Sequence, residues 1–236
     1  EPAERHIGPE KLVEAALAVG LQGMSVSDHN SAEAVDAVRA AAAGTGLYVF
    51  PAMEITTRGG HVLGIFGNST PSSVLWDTLK AVGLPREASG DPTPMAKVGT
   101  EEVYFEIQSR GGIAIAAHID RWPSGLTETG LPTLEKVHLH ESPLLSAIEI
   151  TAPLDKPLWN EGQMRRYPLG RACTQGSDAH APCEIGRRPV FARMEEVSLD
   201  GLRQALLEYR LHIRFPHEMN GDLAAFTAEA LRTQGK

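Results

Sequence analysis

The feature that most constrains the fold of this chain is the repeated alternation of short apolar runs with stretches of helical spacing. The unbroken apolar run Ile113–Ala117 is typical of a strand that is buried on both faces of a parallel sheet. Earlier in the chain, Leu12, Val13 and Ala16 recur at the spacing of one helix face. Strands that alternate with helices indicate a mostly parallel α/β sheet or barrel, which we expect to form one domain over residues 1–236.

Turn residues and apolar periodicity predict where these elements begin and end. Asn30, followed by Glu33, has the pattern of a capping box and is predicted to open an Ala-rich helix that stops at Gly44. A Gly-rich turn at 58–60 predicts a β-hairpin over 54–66. The other predicted helices cover 9–19, 71–82, 101–110, 199–209 and 222–231. The other predicted strands cover 23–27, 47–50, 113–117, 146–150, 172–175, 190–192 and 213–215.

Composition excludes several classes of protein. The 22 Lys and Arg residues against 30 Asp and Glu residues give a net charge of −8 without basic runs, so we expect no stable nucleic-acid binding. No apolar run approaches the ~18 residues of a membrane-spanning helix, and no signal peptide is recognisable, so we expect no membrane partner. The two cysteines, Cys173 and Cys183, cannot form a disulfide framework and indicate a reducing compartment, which predicts a cytoplasmic protein.

Histidines and carboxylates accompany several of the predicted strand ends. His29, Glu54, His118, Asp178 and His180 all follow a predicted strand closely. In a parallel α/β barrel the carboxyl ends of the strands share one face, so we expect these side chains to converge on one pocket. A single histidine in such a position is more often a hydrogen-bonded loop residue, but the combination predicts a shared metal site. Imidazole and carboxylate ligands suit zinc, manganese or iron.

The motifs around these residues also occur in a recognisable order. They are Ser27–Asn30, Met53–Thr57 with His61–Gly64, Ala117-His118 and Gly176–His180. Together these segments resemble the polymerase and histidinol phosphatase (PHP) family over residues 1–216. The order and combination of the motifs make the resemblance specific, whereas any one of them alone is weak.

The resemblance implies a distorted seven-stranded β/α (TIM-like) barrel that holds two or three divalent transition-metal ions and hydrolyses phosphoesters. It also implies a set of metal ligands in which Glu54 bridges two ions. Carried over motif by motif, these ligands are Glu4, His29, Glu54, His61, His118, Asp178 and His180. Glu4 is assigned only from its place ahead of the first helix, and an ordinary surface glutamate is the alternative there.

One part of the family pattern is missing from this chain. The first strand of the family ends in a His-x-His pair, and no residue ahead of Glu4 supplies that pair. Because the chain begins at Glu1 without a methionine, we expect this first strand to lie ahead of Glu1 and to be absent from this chain. The alternative is a relative that binds fewer metals. His138 and His140 have the same spacing but stand out of order, and we expect a polar, partly exposed segment there.

Basic and aromatic residues beside the motifs are candidates for substrate contacts. Arg121 and Arg187 are predicted to bind the substrate phosphate, because a guanidinium group matches phosphate oxygens in a bidentate way. The alternative for Arg121 is an ion pair with Asp120 or a surface carboxylate. Trp122 offers a stacking surface for a base or ring, or else packs locally. Cys183 has no activating partner in the sequence and is expected to be a small buried residue.

These expectations combine into a metal-dependent phosphoric ester hydrolase. We expect attack of a metal-bound hydroxide on a phosphomonoester of a small metabolite or nucleotide, with Asp178, His180 and Arg121 as catalytic residues. One alternative is a phosphodiesterase or exonuclease that acts on short oligonucleotides. The other is a non-catalytic PHP-like binding domain. The sequence does not specify the substrate, the metal or the oligomeric state.

Overall fold

The computed structural model describes residues 7–219, and its largest feature is a curled sheet of six strands. These strands neighbour one another in chain order and are β1 (Gly23–Val26), β2 (Tyr48–Thr57), β3 (Gly60–Ile65), β4 (Ile113–Ala116), β5 (Ala147–Glu149) and β6 (Cys173–Thr174). Two further short strands, β7 (Phe191–Ala192) and β8 (Ile213–Arg214), pair with each other in a separate antiparallel sheet. The expected mixed α/β, barrel-like fold is confirmed, with six strands in the main sheet of the described part.

The helices of the described residues alternate with these strands. They are α1 (Pro9–Ala18), α2 (Val35–Ala42), α3 (Ser72–Ala81), α4 (Thr100–Ser109), α5 (Thr133–Glu141), α6 (Lys156–Asn160), α7 (Leu199–Leu207) and α8 (Tyr209–His212). Between residues 7 and 219, none of them is long and apolar enough to cross a membrane. The predicted helix over 222–231 and the candidate ligand Glu4 lie outside the described residues.

The direction of β3 differs from that of its neighbours and shapes the site. β1 pairs in parallel with β2, and β4, β5 and β6 also pair in parallel. By contrast, β3 runs antiparallel to both β2 and β4. The start of β3 therefore lies at the same edge of the sheet as the ends of β2 and β4. His61, Glu54 and His118 lie at or near this edge of the sheet.

Strand β2 is longer than the sequence predicted, because it unites the expected strand over 47–50 with the first arm of the hairpin. Its first half pairs with β1, and its second half pairs with β3. Pro51, which has no backbone N–H to donate, lies where β2 changes partner. The hairpin itself was predicted correctly.

The predicted role of Asn30 as a helix cap was wrong. Helix α2 begins only at Val35, and Asn30 is fully buried with φ +50°. Its side-chain amide donates hydrogen bonds to the carbonyl oxygens of Asp91 (2.8 Å) and Pro94 (3.0 Å). Its oxygen accepts from the backbone N–H of Thr56 at 3.1 Å. Asn30 thus joins the loop after β1 to β2 and to the loop ahead of α4.

Helix α5 was also not predicted, and it changes the interpretation of His138 and His140. Residues two apart on a helix point to different faces, so His138 and His140 do not face a common ion. His138 is exposed and lies 3.1 Å from the carboxylate of Glu101. His140 is fully buried, and its ring packs against Trp159 and Tyr167. The expectation of a polar, partly exposed segment was therefore wrong for His140.

Two groups of apolar side chains hold the sheet and the helices together. The larger one lies among β2–β5 and helices α3 and α4 and includes Met53, Ile55, Leu79 and Ile107. The smaller one packs helices α1 and α2 against β1 and β2. Because both cores fix the strands, the residues at the strand ends are held in defined positions.

Candidate metal centre

The loop after β1 and strand β2 bring His29 beside Glu54. The backbone N–H of Glu54 donates to the carbonyl oxygen of Asp28 at 3.1 Å, and the N–H of Asn30 donates to the carbonyl oxygen of Glu54 at 2.8 Å. These bonds form an isolated parallel bridge between His29 and Glu54. The position of His29 is therefore set by the same sheet that carries Glu54.

The reversed strand β3 brings His61 to the same place. In the β2–β3 hairpin, Thr56 pairs directly with His61, so the side chains of His61 and Glu54 emerge on one face as diagonal neighbours. The backbone N–H of Ala117 donates to the carbonyl oxygen of His61 at 3.0 Å, which fixes the chain at His118. Three separate segments thus converge on the carboxylate of Glu54.

The side chains of this group are in direct contact. Oε1 of Glu54 lies 2.6 Å from Nδ1 of His61 and 3.0 Å from Nε2 of His118. The ring centroids of His29 and His61 are 5.0 Å apart, and those of His61 and His118 are 5.1 Å apart. One ligand atom each from His29, Glu54 and His61 lies within 4.8 Å of the others, which is the spacing of groups that can hold one ion.

The protonation states of the group suit a divalent cation. Burial opposes ionisation of Glu54, but hydrogen bonds from His118 and His61 outweigh it and hold the pKa of the carboxyl group far below its ordinary value. Burial is also the main cause that lowers the pKa of His29, so that its imidazole is neutral at pH 7. Its Nδ1 atom is buried and has no hydrogen-bond partner within residues 7–219. A charged carboxylate beside the neutral imidazole of His29, which has an unpartnered ring nitrogen, fits zinc, manganese or iron.

Asp178 and His180 lie next to this group, on the segment that follows β6. Asp178 has φ +47° and accepts a hydrogen bond from Arg121. His180 is exposed, and its Nδ1 lies 3.0 Å from the carbonyl oxygen of Asp178. The charge of Asp178 raises the pKa of His29 and that of His180 lowers it, so both are within electrostatic range of the group. The structure places Asp178 and His180 near the group of His29, Glu54, His61 and His118, but neither of them forms a hydrogen bond with Glu54.

A cavity of about 600 Å³ opens beside Asp178 and His180 and carries three arginines. Its wall consists of Arg121, Thr151, Ser177, Asp178, His180, Glu184, Arg187 and Arg188. Nη2 of Arg187 lies 3.2 Å from the carboxylate of Glu184. Nε of Arg188 donates to the carbonyl oxygen of Gly176 at 2.7 Å. Arg121 and Arg187, the two arginines that were predicted to bind phosphate, both line this cavity.

The alternative pairing of Arg121 with Asp120 is not found. Asp120 instead accepts hydrogen bonds from the backbone N–H groups of Thr151 (2.7 Å) and Ala152 (3.1 Å). Arg121 pairs instead with the carboxylate of Asp178. Cys183 is exposed rather than buried, so that expectation was wrong.

Sequence reasoning missed Glu149, which is buried behind the group. Its carboxylate accepts a hydrogen bond from the backbone N–H of His118 at 3.3 Å and lies 3.7 Å from Nη2 of Arg188. Burial is the main cause that raises its pKa. The predicted strand over 146–150 placed Glu149 inside the strand, whereas β5 ends at this residue. A strand boundary one residue earlier would have placed it among the candidates.

Comparisons with known proteins agree with this arrangement at the level of the fold. No family model matches the chain, and no curated protein matches it. Among solved structures, a two-domain protein from Bacteroides vulgatus that contains a predicted PHP-like metal-dependent phosphoesterase matches with a TM-score of 0.58 and 19% identity over 85% of this chain. The lesion-specific endonuclease EndoQ from Pyrococcus furiosus matches with a TM-score of 0.62 and 15% identity over 84% of this chain.

A third similar structure comes from Bifidobacterium adolescentis and is described as a metal-dependent phosphoesterase. It matches with a TM-score of 0.51 and 18% identity, and the match covers 85% of this chain and 90% of that one. The chain spans 57% of the length of the Bacteroides protein and 50% of that of EndoQ. The resemblance seen in the sequence motifs is thus confirmed by the structure: this chain has the fold of the PHP-like metal-dependent phosphoesterases.

Proposed function

We propose that this protein is a metal-dependent hydrolase of phosphoric esters and that its substrate is a phosphomonoester of a small metabolite or nucleotide. The observation that carries the proposal is the contact group of His29, Glu54, His61 and His118 beside an arginine-lined cavity. Such a site provides ligand atoms for a cation and hydrogen-bond donors for a phosphate within one region.

The residues of the group would act as ligands of the cations. His29, Glu54 and His61 would hold one ion, with His118, Asp178 and His180 completing the set of ligands. Divalent ions lower the pKa of water and neutralise charge on the phosphoryl oxygens. The resemblance to the PHP family implies that Glu54 would be a ligand shared by two ions, and its Oε1 atom contacts the imidazoles of both His61 and His118.

The arginines orient the phosphate of the substrate. One Nη atom of Arg121 is bonded to Asp178, and the other Nη atom would donate to phosphate oxygens in the cavity that Arg121 lines. Arg187 would contact the substrate nearer the solvent, and Asp178 and His180 line the same cavity.

The size of the cavity favours a small substrate. A volume of about 600 Å³ is within the range of pockets that enclose single small molecules. The rival proposal, a phosphodiesterase acting on short oligonucleotides, is favoured by the structural similarity to EndoQ, an endonuclease. The net charge of −8 argues against a long nucleic-acid track.

Hydrolysis assays distinguish these proposals. The protein, loaded with Mn²⁺ or Zn²⁺, is incubated with adenosine 5′-monophosphate and, separately, with a short single-stranded oligonucleotide. We expect release of inorganic phosphate from the monophosphate and its loss in Glu54→Gln. Faster cleavage of the oligonucleotide would favour the phosphodiesterase. Cleavage of neither substrate by metal-loaded protein would favour a non-catalytic binding domain.

A further inference from the structure

Trp122 is the most exposed of the three tryptophans, and it follows the cavity residue Arg121 directly in the chain. Its side chain is 77% exposed, whereas Trp159 is 2% exposed. The third indole, that of Trp76, is covered on one side by the guanidinium of Arg86, which lies 4.4 Å from its ring centroid. The indole of Trp122 is thus exposed on the loop that also carries Arg121, and an exposed indole is available to a ligand.

The loop that carries Trp122 is anchored on both sides. The backbone N–H of Arg121 donates to the carbonyl oxygen of His118 at 2.8 Å, and that of Gly125 donates to the carbonyl oxygen of Arg121 at 2.7 Å. The loop also accepts a hydrogen bond from the N–H of His61 at the carbonyl oxygen of Ser124, at 3.0 Å. The exposure of Trp122 is therefore a property of a loop that two members of the candidate metal centre hold in place.

Close packing adds to this anchoring. A Cβ atom at Gly125 would lie 2.4 Å from the carbonyl oxygen of His118 and 2.5 Å from that of Ile119, so only glycine permits this approach. The hydrogen bonds from Thr151 and Ala152 to Asp120 tie the loop to the segment after β5. The base of the loop that carries Arg121 and Trp122 is thus held closely in place.

A second apolar side chain stands on the segment that Asp120 holds. Leu154 is 79% exposed and lies three residues after Thr151, which lines the cavity. The two segments that bring Arg121 and Thr151 to the cavity thus each also carry an exposed apolar side chain. This combination matches a molecule that has an anionic group at one end and a flat apolar group at the other.

We propose that Trp122 determines substrate specificity by stacking on a flat ring, such as a nucleobase, that is carried by the phosphorylated substrate. The inference rests on the proposed function, because the phosphate of the same molecule is the group that Arg121 and the metal centre bind. An indole face suits a ring in particular, since stacked rings share a large contact area with little loss of side-chain freedom. Trp122 is not required for the chemical step, so its effect falls on binding.

Kinetics with two phosphomonoesters test this specificity. Adenosine 5′-monophosphate carries a ring, and glycerol 3-phosphate does not. We expect Trp122→Ala to raise KM for the nucleotide by about five- to a hundredfold with little change in kcat. KM for glycerol 3-phosphate is expected to stay the same. Trp122→Phe should retain most of the nucleotide affinity. The control Leu134→Ala removes a side chain that is 83% exposed on α5 and should change neither KM.

A fluorescence titration provides a second readout that requires no turnover. Adenosine 5′-monophosphate is expected to quench tryptophan emission in the wild type, and Trp122→Phe should abolish most of this quenching. Inorganic phosphate should quench neither protein. If wild-type protein hydrolyses neither ester, the proposed function fails while the titration still decides the role of Trp122. Unchanged nucleotide KM in Trp122→Ala, or quenching that persists in Trp122→Phe, would overturn the inference.

Discussion

Arg121 donates a hydrogen bond from Nη2 to Oδ2 of Asp178, and this contact joins the loop after β4 to the segment after β6. The two residues are 57 positions apart in the sequence, and both line the same cavity. The contact fixes one edge of the guanidinium of Arg121 at the cavity wall. Arg121 is therefore the arginine best placed to orient a phosphate at the candidate metal centre.

Replacing Arg121→Ala is expected to lower kcat/KM for a phosphomonoester by about ten- to a hundredfold, because a charge-assisted hydrogen bond to the phosphate is lost. Arg121→Lys should recover only part of this loss, since an ammonium group lacks the fork geometry. Arg187→Ala is the matched control from the same cavity, and its effect should be smaller because Arg187 is more exposed and lies beside Glu184. Wild-type efficiency in Arg121→Ala would move the phosphate role to Arg187.

Replacing Glu54→Gln is expected to remove at least one bound metal ion. The substitution keeps the shape of the side chain but removes the charge that His61 and His118 now surround. Equilibrium dialysis against Mn²⁺ or Zn²⁺ measures the stoichiometry, and circular dichroism should show a folded protein. The matched control is Glu101→Gln, which alters a carboxylate beside the exposed His138. Equal stoichiometry in wild type and Glu54→Gln would show that Glu54 has only a structural role.

Replacing Asn30→Ala is expected to destabilise the fold by about 2–4 kcal/mol. The change deletes three hydrogen bonds and leaves the buried N–H of Thr56 without its acceptor. It also places an alanine at φ +50°, which costs roughly 1–2 kcal/mol. Urea unfolding measures the loss, and Asn30→Gly should recover the part that is due to φ. A free energy of unfolding within ~0.5 kcal/mol of wild type in Asn30→Ala would contradict the assigned role.

The buried residue His140 should make the fold sensitive to acid. Burial lowers the pKa of His140 to about 4, and neither ring nitrogen has a hydrogen-bond partner within the described residues. The imidazole of His140 takes up a proton near pH 6.5 in the unfolded chain but only near pH 4 in the folded protein. The free energy of unfolding is therefore highest above pH 6.5 and decreases as the pH falls toward 4. Between pH 7 and pH 5 the free energy of unfolding decreases by about 2 kcal/mol from this cause.

Urea unfolding at pH 7 and pH 5 tests this acid sensitivity. In His140→Phe, which keeps a ring against Trp159 and Tyr167, the difference between the two pH values should shrink by most of that amount. The exposed His138, replaced by Gln, serves as the control and should leave the difference unchanged. An equally steep pH dependence in wild type and His140→Phe would refute the account of His140.

Much of the candidate site was predictable because its residues follow strands directly. His29, His118 and Asp178 stand where short apolar runs end, and the carboxyl ends of neighbouring parallel strands meet at one edge. The hairpin turn at 58–60 was recognisable from its glycines, and it explains how His61 reaches Glu54. These parts of the site depend on local signals that a sequence displays.

Other parts depend on contacts between distant segments and were not predictable. Asn30 resembles a helix cap locally, but its partners Asp91 and Pro94 are more than sixty residues away. Glu149 stands at the end of β5, but its contact with the backbone of His118 joins segments 31 residues apart, and an error of one residue in the predicted strand end hid it. Helix α5 has a weak apolar pattern because it carries three charged residues and two histidines in nine positions. Tertiary packing decides such elements.

The most direct test of the central claim is a crystal structure of the protein soaked with Mn²⁺ or Zn²⁺, with anomalous scattering measured at the absorption edge of the metal. We expect an anomalous peak at about 2.0–2.3 Å from a carboxylate oxygen of Glu54 and from a ring nitrogen of His29 or His61. The same crystal form of Glu54→Gln should lose that peak. A wild-type structure whose only metal peaks lie away from Glu54, His29 and His61 would contradict the proposed metal centre.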